Sequence, residues 1–334
     1  MNETLLNRAA INGVDCYERF RLFFLKGAYR EWLRFGSAKK VDSNEWWEYD
    51  GVWIDTSTPV VLESTELSLP AALHGDIDML NEFILYMRSR VYHHISVTLI
   101  PGSVLMQECF SSRMVRIKEI DNIKVFSGLI KFTLIIADDT PYRGYTTTIT
   151  TQTDSPLSID GVGVASYGLM PIGDWRNQLS TPIEIRENSI ADLLGVNGLV
   201  YGVSTHGGRA TSKTNKEASL IFWLDKNLSK NYNDKTGGNR KAQRLFEKFF
   251  NVLLQAGERN LSFTWQGIKM GAYCRYKDMN IIDCGADGYN KMKFSVTFDV
   301  LRVDYLNEWI LRTGRWNDNG FWIDDQQWRD YLTI

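Results

Sequence analysis

The chain's four histidines are where a catalytic or metal-binding reading has to begin. His93 and His94 are adjacent at the start of an alternating apolar stretch, "HISVTLIPG". Neighbouring residues of a strand point to opposite faces, so this pair cannot close on one ion. His74 and His206 fall in loops, with no cysteine or carboxylate at ligand spacing. Cys16, Cys109, Cys274 and Cys284 contain no Cys-x-x-Cys pair, and no histidine is close to any of them. They read as reduced thiols acting as small apolar side chains. The adjacent acids Asp138-Asp139 and Asp324-Asp325 read as solvated turns. "GVGVASYG" (161–168) sets its third glycine one position late for a dinucleotide loop, and no βαβ unit follows. "THGGRATSKT" (205–214) lacks the Gly-Lys-Ser/Thr ending of a phosphate loop and reads as a hairpin tip. No Gly-x-Ser-x-Gly elbow is present. The expectation is a non-enzyme with no catalytic residue, no cofactor and no metal ligand.

Aromatic surface is what the chain has in abundance. Trp32, Trp46 and Trp47 fall in 19–49, and Trp309, Trp316, Trp322 and Trp328 crowd the last 29 residues, 306–334. Each indole buries ~150–250 Å² when docked. These seven are the candidate contacts between subunits, with docking inside the chain the equal alternative. A net charge of −2 offers no basic excess for tracking phosphates. No apolar run approaches ~18 residues, so no membrane-spanning helix is expected. The opening "MNETLLNRAAINGVDCY" lacks a basic and then apolar leader, which predicts a soluble protein made in a cytoplasm.

The elements that would position such surfaces repeat themselves. "LIKFTLIIADDTPY" (129–142) and "KMKFSVTFDVLRVDY" (291–305) share Lys-Phe at the head of an alternating strand, 162 positions apart. Working backward, "INGVDCY" (11–17) faces "IDGVGVA" (159–165), each with an Asx-Gly turn. "DGVWIDTSTP" (50–59) faces "NGLVYGVSTH" (197–206), and "STELSLPAAL" (64–73) faces "KEASLIFWL" (216–224). Next comes a helix in each half. Met79, Leu80, Phe83, Met87 and Val91 share one face, and Ala242, Leu245, Phe246, Phe249, Leu253 and Leu254 share another. Then come "HISVTLIPG" or "NLSFTWQG", a hairpin region (104–126 or 268–283), and the closing strand. The order of these pairings predicts a duplicated unit. One helix among many strands predicts a mainly β, α+β fold with the helix packed on antiparallel sheet. The boundaries expected are a first unit at 1–142 with an insertion at 19–49, an extended connection at 143–158, a second unit at 159–304, and a Trp-rich arm at 305–334.

The first half also resembles the N-terminal domain of distal tail and tail-hub proteins of long-tailed bacteriophages, closest to those of Bacteroides-type phages and prophages. The residues that carry this are "INGVDCYERF…FFLKGAY", "DGVWIDTSTPVVLESTELSLP", a helix, "ISVTLIPG" and "GLIKFTLIIADDTP". The resemblance implies two tandem tail-tube-like β-sandwich domains, each with one helix. It implies a structural virion protein, assembled in the host cytoplasm, that rings the tail end and continues the DNA conduit. The partners implied are further copies of itself, as a homotrimer with pseudo-sixfold symmetry or a homohexamer, and tube, tip or fibre proteins. DNA would pass the lumen without specific binding, and no membrane is involved. A distal tail protein's second half usually holds a carbohydrate-binding-like domain; here the tube unit is repeated, which favours the trimeric, hub-like ring. A tail-tube protein proper is the near alternative. A carbohydrate-binding adhesin module, with tryptophans as sugar platforms, is the alternative from another class.

Overall fold

The computed structural model describes residues 9–25, 27–40, 43–44, 53–98, 110–141, 152, 154–180, 183–188, 204–206, 209–225, 228–229, 238–265, 267–284 and 291–305. The first unit runs β1 (Ala9–Ile11), β2 (Val14–Asp15), α1 (Cys16–Phe20), β3 (Leu22–Phe24), α2 (Ala28–Leu33), β4 (Ser43–Asn44), β5 (Trp53–Ile54), β6 (Thr65–His74), α3 (Ile77–Arg88), β7 (Tyr92–Thr98), β8 (Phe110–Phe126) and β9 (Leu129–Asp138). The second runs β10 (Leu157–Ile159), β11 (Val162–Gly163), a 3-10 turn (Val164–Tyr167), β12 (Leu169–Ile172), α4 (Trp175–Leu179), β13 (Ile183–Asn188), β14 (Ser204–His206), β15 (Arg209–Asp225), α5 (Gly238–Leu253), β16 (Arg259–Trp265), β17 (Ile268–Cys284) and β18 (Lys291–Tyr305).

The protein is mainly β with few helices, and its two large sheets have one topology. The first has strand order β2-β1-β7-β8-β9-β6-β3, and the second has β11-β10-β16-β17-β18-β15-β12. Every strand of one path has its counterpart at the same place in the other. Register agrees too. Ala72 lies opposite Lys131, and Trp223 lies opposite Lys293, each inside a ten-residue antiparallel ladder. The shared Lys-Phe pair therefore does mark register. Phe132 and Phe294 both point inward, where their rings meet Phe83 of α3 and Phe249 of α5 at 5.9 and 6.2 Å. Edge-to-face and tilted pairs of this kind add about 0.5–1.5 kcal/mol beyond the area they bury.

The opening Asx-Gly turns are equally matched. Asn12 and Gly13 have φ of 52° and 82°, and Asp160 and Gly161 have 50° and 80°. Two successive positive-φ residues make the tight hairpin turn that Asx-Gly favours. Each Asx side chain then does the same second job. Asn12 Oδ1 accepts from the His94 backbone N–H at 3.0 Å, and Asp160 Oδ1 accepts from that of Asn260 at 2.8 Å. Their other side-chain atoms bind His93 and Arg259, which reach carbonyls near the helix end, that of Met87 in the last turn of α3 and that of Ala256 in the bend after α5. His93 is thus a fully buried link between turn and helix, while His94 faces outward. The helices follow from their patterns. Asp76 caps α3 by accepting from the Met79 N–H, and Leu80, Phe83 and Met87 form its buried stripe.

One pairing expected from sequence takes two different forms. β5 pairs with β4, whereas β14 pairs with the projecting half of β15, so 50–59 and 197–206 do not repeat one strand. β3 and α2 do have counterparts, β12 and α4, so the repeat continues through Leu33. What lacks a counterpart of the same form is the stretch from Arg34 to Ser64. Its two described limbs bond to each other through an Ala38–Leu62 bridge and the Lys39 N–H to Val61 carbonyl bond. This strap belongs to the first unit by sequence but lies on the second. Phe35 stacks on Phe250 of α5 at 4.3 Å, and the Val60 N–H donates to the Leu254 carbonyl. As a result the buried residues of both units form one apolar cluster.

A shared core makes the units unfold together. Wild-type protein is expected to show one cooperative urea transition. Phe35→Ala should remove about 3–5 kcal/mol and split the transition in two, as followed by tryptophan fluorescence and far-UV circular dichroism in parallel.

Candidate functional site

The strap meets β17 where that strand loses its neighbour. β16 pairs with β17 only as far as Cys274, so the same edge of β17 is open from Arg275 onward. Into this opening the strap places backbone and side chains. The Ala38 N–H donates to the Lys277 carbonyl at 2.7 Å, and the Tyr276 hydroxyl donates to the Gly36 carbonyl at 2.9 Å. Ser37 Oγ donates to Asp278 Oδ1 at 2.9 Å, and Arg275 Nη2 donates to the Thr58 carbonyl at 3.2 Å. Further along, the Gly257 N–H donates to the Thr56 carbonyl at 2.7 Å. The strap's own limbs are packed closely: a Cβ on Gly36 would stand 2.5 Å from Thr65 Oγ1 and 3.0 Å from the Glu63 carbonyl oxygen. Burial is the first cause holding the Tyr276 hydroxyl well above the ordinary tyrosine range, so it stays a neutral donor to Gly36.

The root of the strap is held from the first unit. The Arg113 guanidinium, on β8, donates to Asp138 at 2.9 Å and to the carbonyls of Trp32 and Arg34 at 2.6 and 2.7 Å. Both charged side chains are almost completely buried. The same guanidinium lies 5.4 Å from the Trp32 ring centroid. Trp32 is 1% exposed and packed in the core. This corrects the expectation that Trp32 serves a contact between subunits: its surface is spent inside the chain. Trp46, Trp47, Trp309, Trp316, Trp322 and Trp328 lie outside the described residues.

The strap site has a twin. Matching the strand registers sets Arg116, Ile117, Lys118 and Glu119 of β8 against Arg275, Tyr276, Lys277 and Asp278 of β17. Both strands bulge at the lysine, between Ile117 and Glu119 and between Tyr276 and Asp278. Both lysines reach across the central strand to a glutamate, Lys118 to Glu66 and Lys277 to Glu217. The signal was present in the sequence as "RIKE" beside "RYKD" and "ELSL" beside "EASL". The second of these is the pairing of 64–73 with 216–224; the first lies where a bulge displaces the alternation by one, so a period-two reading does not pick it out.

The twins differ in what covers them. Arg275 is 3% exposed beneath the strap, while the Arg116 side chain is 40% exposed. Arg116 bonds to Asp139, which also accepts from Ser64 and Tyr92. These hydrogen bonds, that of Arg116 first and that of Ser64 next, hold the Asp139 carboxyl below its usual range. Beyond Arg116, β8 from Ile117 to Phe126 has no strand partner on its outer edge among the described residues. Ile123, Val125 and Phe126 stand about half exposed along that stretch.

The groups that could do chemistry stay apart. His74 stacks on Phe23, and His206 lies in β14 opposite Arg209. Burial, with Asp15 adding to it, pushes the Cys16 thiol to about 12, and burial raises that of Cys274 as well, so neither is a nucleophile near neutral pH. Among the described residues, no group of three or more His, Cys, Asp or Glu side chains could hold a metal ion. No described helix is long and apolar enough to cross a membrane.

Two measurements probe these contacts. Asp138→Asn removes the buried carboxylate that Arg113 bonds to and should cost about 3–5 kcal/mol in chemical unfolding. Arg116→Ala should act through pH. A carboxyl depressed in the fold stabilises above its unfolded pKa, and that contribution is lost as pH falls through the folded value. The stability gap between wild type and Arg116→Ala should therefore be widest above about pH 5 and shrink below about pH 4, read from urea midpoints across pH.

The chain matches no known protein-family model and no curated protein.

Proposed function

We propose that this chain is a structural subunit of a bacteriophage tail, forming a ring at the distal tail or baseplate hub. The observation that carries the reading is the duplicated topology, two sheets with the same seven-strand order joined through one strap. One chain then offers two nearly equivalent positions, and three chains offer six around an axis. The resemblance of the first half to distal tail and hub proteins supplies the setting. The ring would continue the DNA conduit and dock tube on one side and tip or fibres on the other. Localisation would be the virion, after assembly in the host cytoplasm.

The modest net charge of −2 suits a lumen that lets DNA slide without being held. Sheet edges left open in a single chain, such as the outer edge of β8, are where subunits of a ring would pair. A closed ring removes such edges, which otherwise promote uncontrolled association.

Light scattering of the purified chain, together with negative-stain images, tests this. The expected result is a mass of three or six chains and rings with a central hole wide enough for duplex DNA. A single-chain mass at every concentration would overturn it.

A further inference from the structure

The strap on the second unit is a worked example of how one unit grips the next, and the first unit carries the matching surface uncovered. We infer that this surface, formed by the exposed side of α3, the start of β7 and the outer edge of β8, docks a second copy of this chain head to tail. The element that would cover it is the β13–β15 arm of that copy's second unit. The inference rests on the ring assembly proposed above and names its contact.

The correspondence is residue by residue. Register places Ile84 at the position of Phe250, Leu85 at that of Asn251, and Val91 at that of Gly257. In the second unit these positions lie under the strap: Phe250 stacks on Phe35, and the Gly257 N–H bonds to Thr56. In the first unit, among the described residues, no strap lies over them: Ile84 is half-buried against the core, and Leu85 and Val91 stand open. Leu85 is 67% exposed and Val91 66%, whereas Asn251 is 8% exposed. Apolar residues at two-thirds exposure, at the counterparts of an occupied interface, are a surface with a missing partner. The edge of β8 past Arg116 has no strand partner among the described residues, at the place where β17 receives the Ala38 N–H.

Chain order identifies the occupant. The strap lies between α2 and β6 in the first unit. Its counterpart lies between α4 and the part of β15 that pairs with β18, and there the chain builds β13 against Ala210–Asn215 of β15. Within one molecule the first unit's segment already covers the second unit. The second unit's segment is then the piece available to the first unit of another molecule. Repeating that contact is heterologous, and it closes into a ring when the rotation allows.

The test uses the full chain and two readouts. Leu85→Glu with Val91→Glu changes exposed side chains only, so circular dichroism and melting should match wild type. Association should weaken at least tenfold, with the mass falling to one chain. In rings assembled from mixed isotope-labelled and unlabelled copies, an amine cross-linker should join Lys118 or Lys124 of one copy to Lys213 or Lys216 of another. Rings that persist in the double variant, or intermolecular links found only between one Lys124 and another, overturn this contact while leaving the ring intact. A wild-type chain that stays single overturns the ring reading itself, and this contact with it.

Discussion

The structure depends on how a strap that belongs to neither large sheet is held between them. Residues 34–39 and 55–63 carry backbone groups that cannot be buried unpaired without cost. They are satisfied from both sides: by Arg113 for the carbonyls of Trp32 and Arg34, and by Tyr276, Arg275 and the Lys277 carbonyl on the second unit. Phe35, stacked on Phe250, supplies the apolar part of the contact. Because the donors come from both units, the strap couples them, and the core is continuous across the chain.

Divergence between the two copies is concentrated where their surroundings differ. The positions of Arg113 and Asp138 are held in the second unit by Ala272 and Val300. A buried ion pair there would carry a desolvation cost that Ala272 and Val300 do not. The bulge lysine and its glutamate persist in both copies, as do the Asx-Gly turn and its link to the helix end. What is kept sets backbone geometry. What has changed answers to the neighbour.

Much of the fold was open to a reading of periodicity. The paired closing strands, the Asx-Gly turns and the two helices each carry a local signal, a period of two or of 3.6 with turn or cap residues at the ends. The matched pairs Lys131-Phe132 and Lys293-Phe294 could be aligned because both strands bury the same face. The errors fell where signals are not periodic. The short strand Leu22–Phe24 and the helix Ala28–Leu33 fall in the insertion expected at 19–49, because three and six residues are too few to show a period. Trp32 reads equally as an interface or a core residue, because an indole looks the same whether the surface that buries it is its own chain or another.

The sequence by itself determined the mainly β architecture, the doubling of the unit, and the register of the closing strands. These rest on local alternation and local turns, which neighbouring residues specify on their own. Only the tertiary structure decided which unit the strap lies on, which arginine is buried and which is open, and that the face of Leu85 and Val91 stays uncovered. Those outcomes depend on contacts between residues more than two hundred positions apart, such as Gly36 with Tyr276 and Ser37 with Asp278. No local pattern encodes a contact whose two sides lie in different halves of the chain.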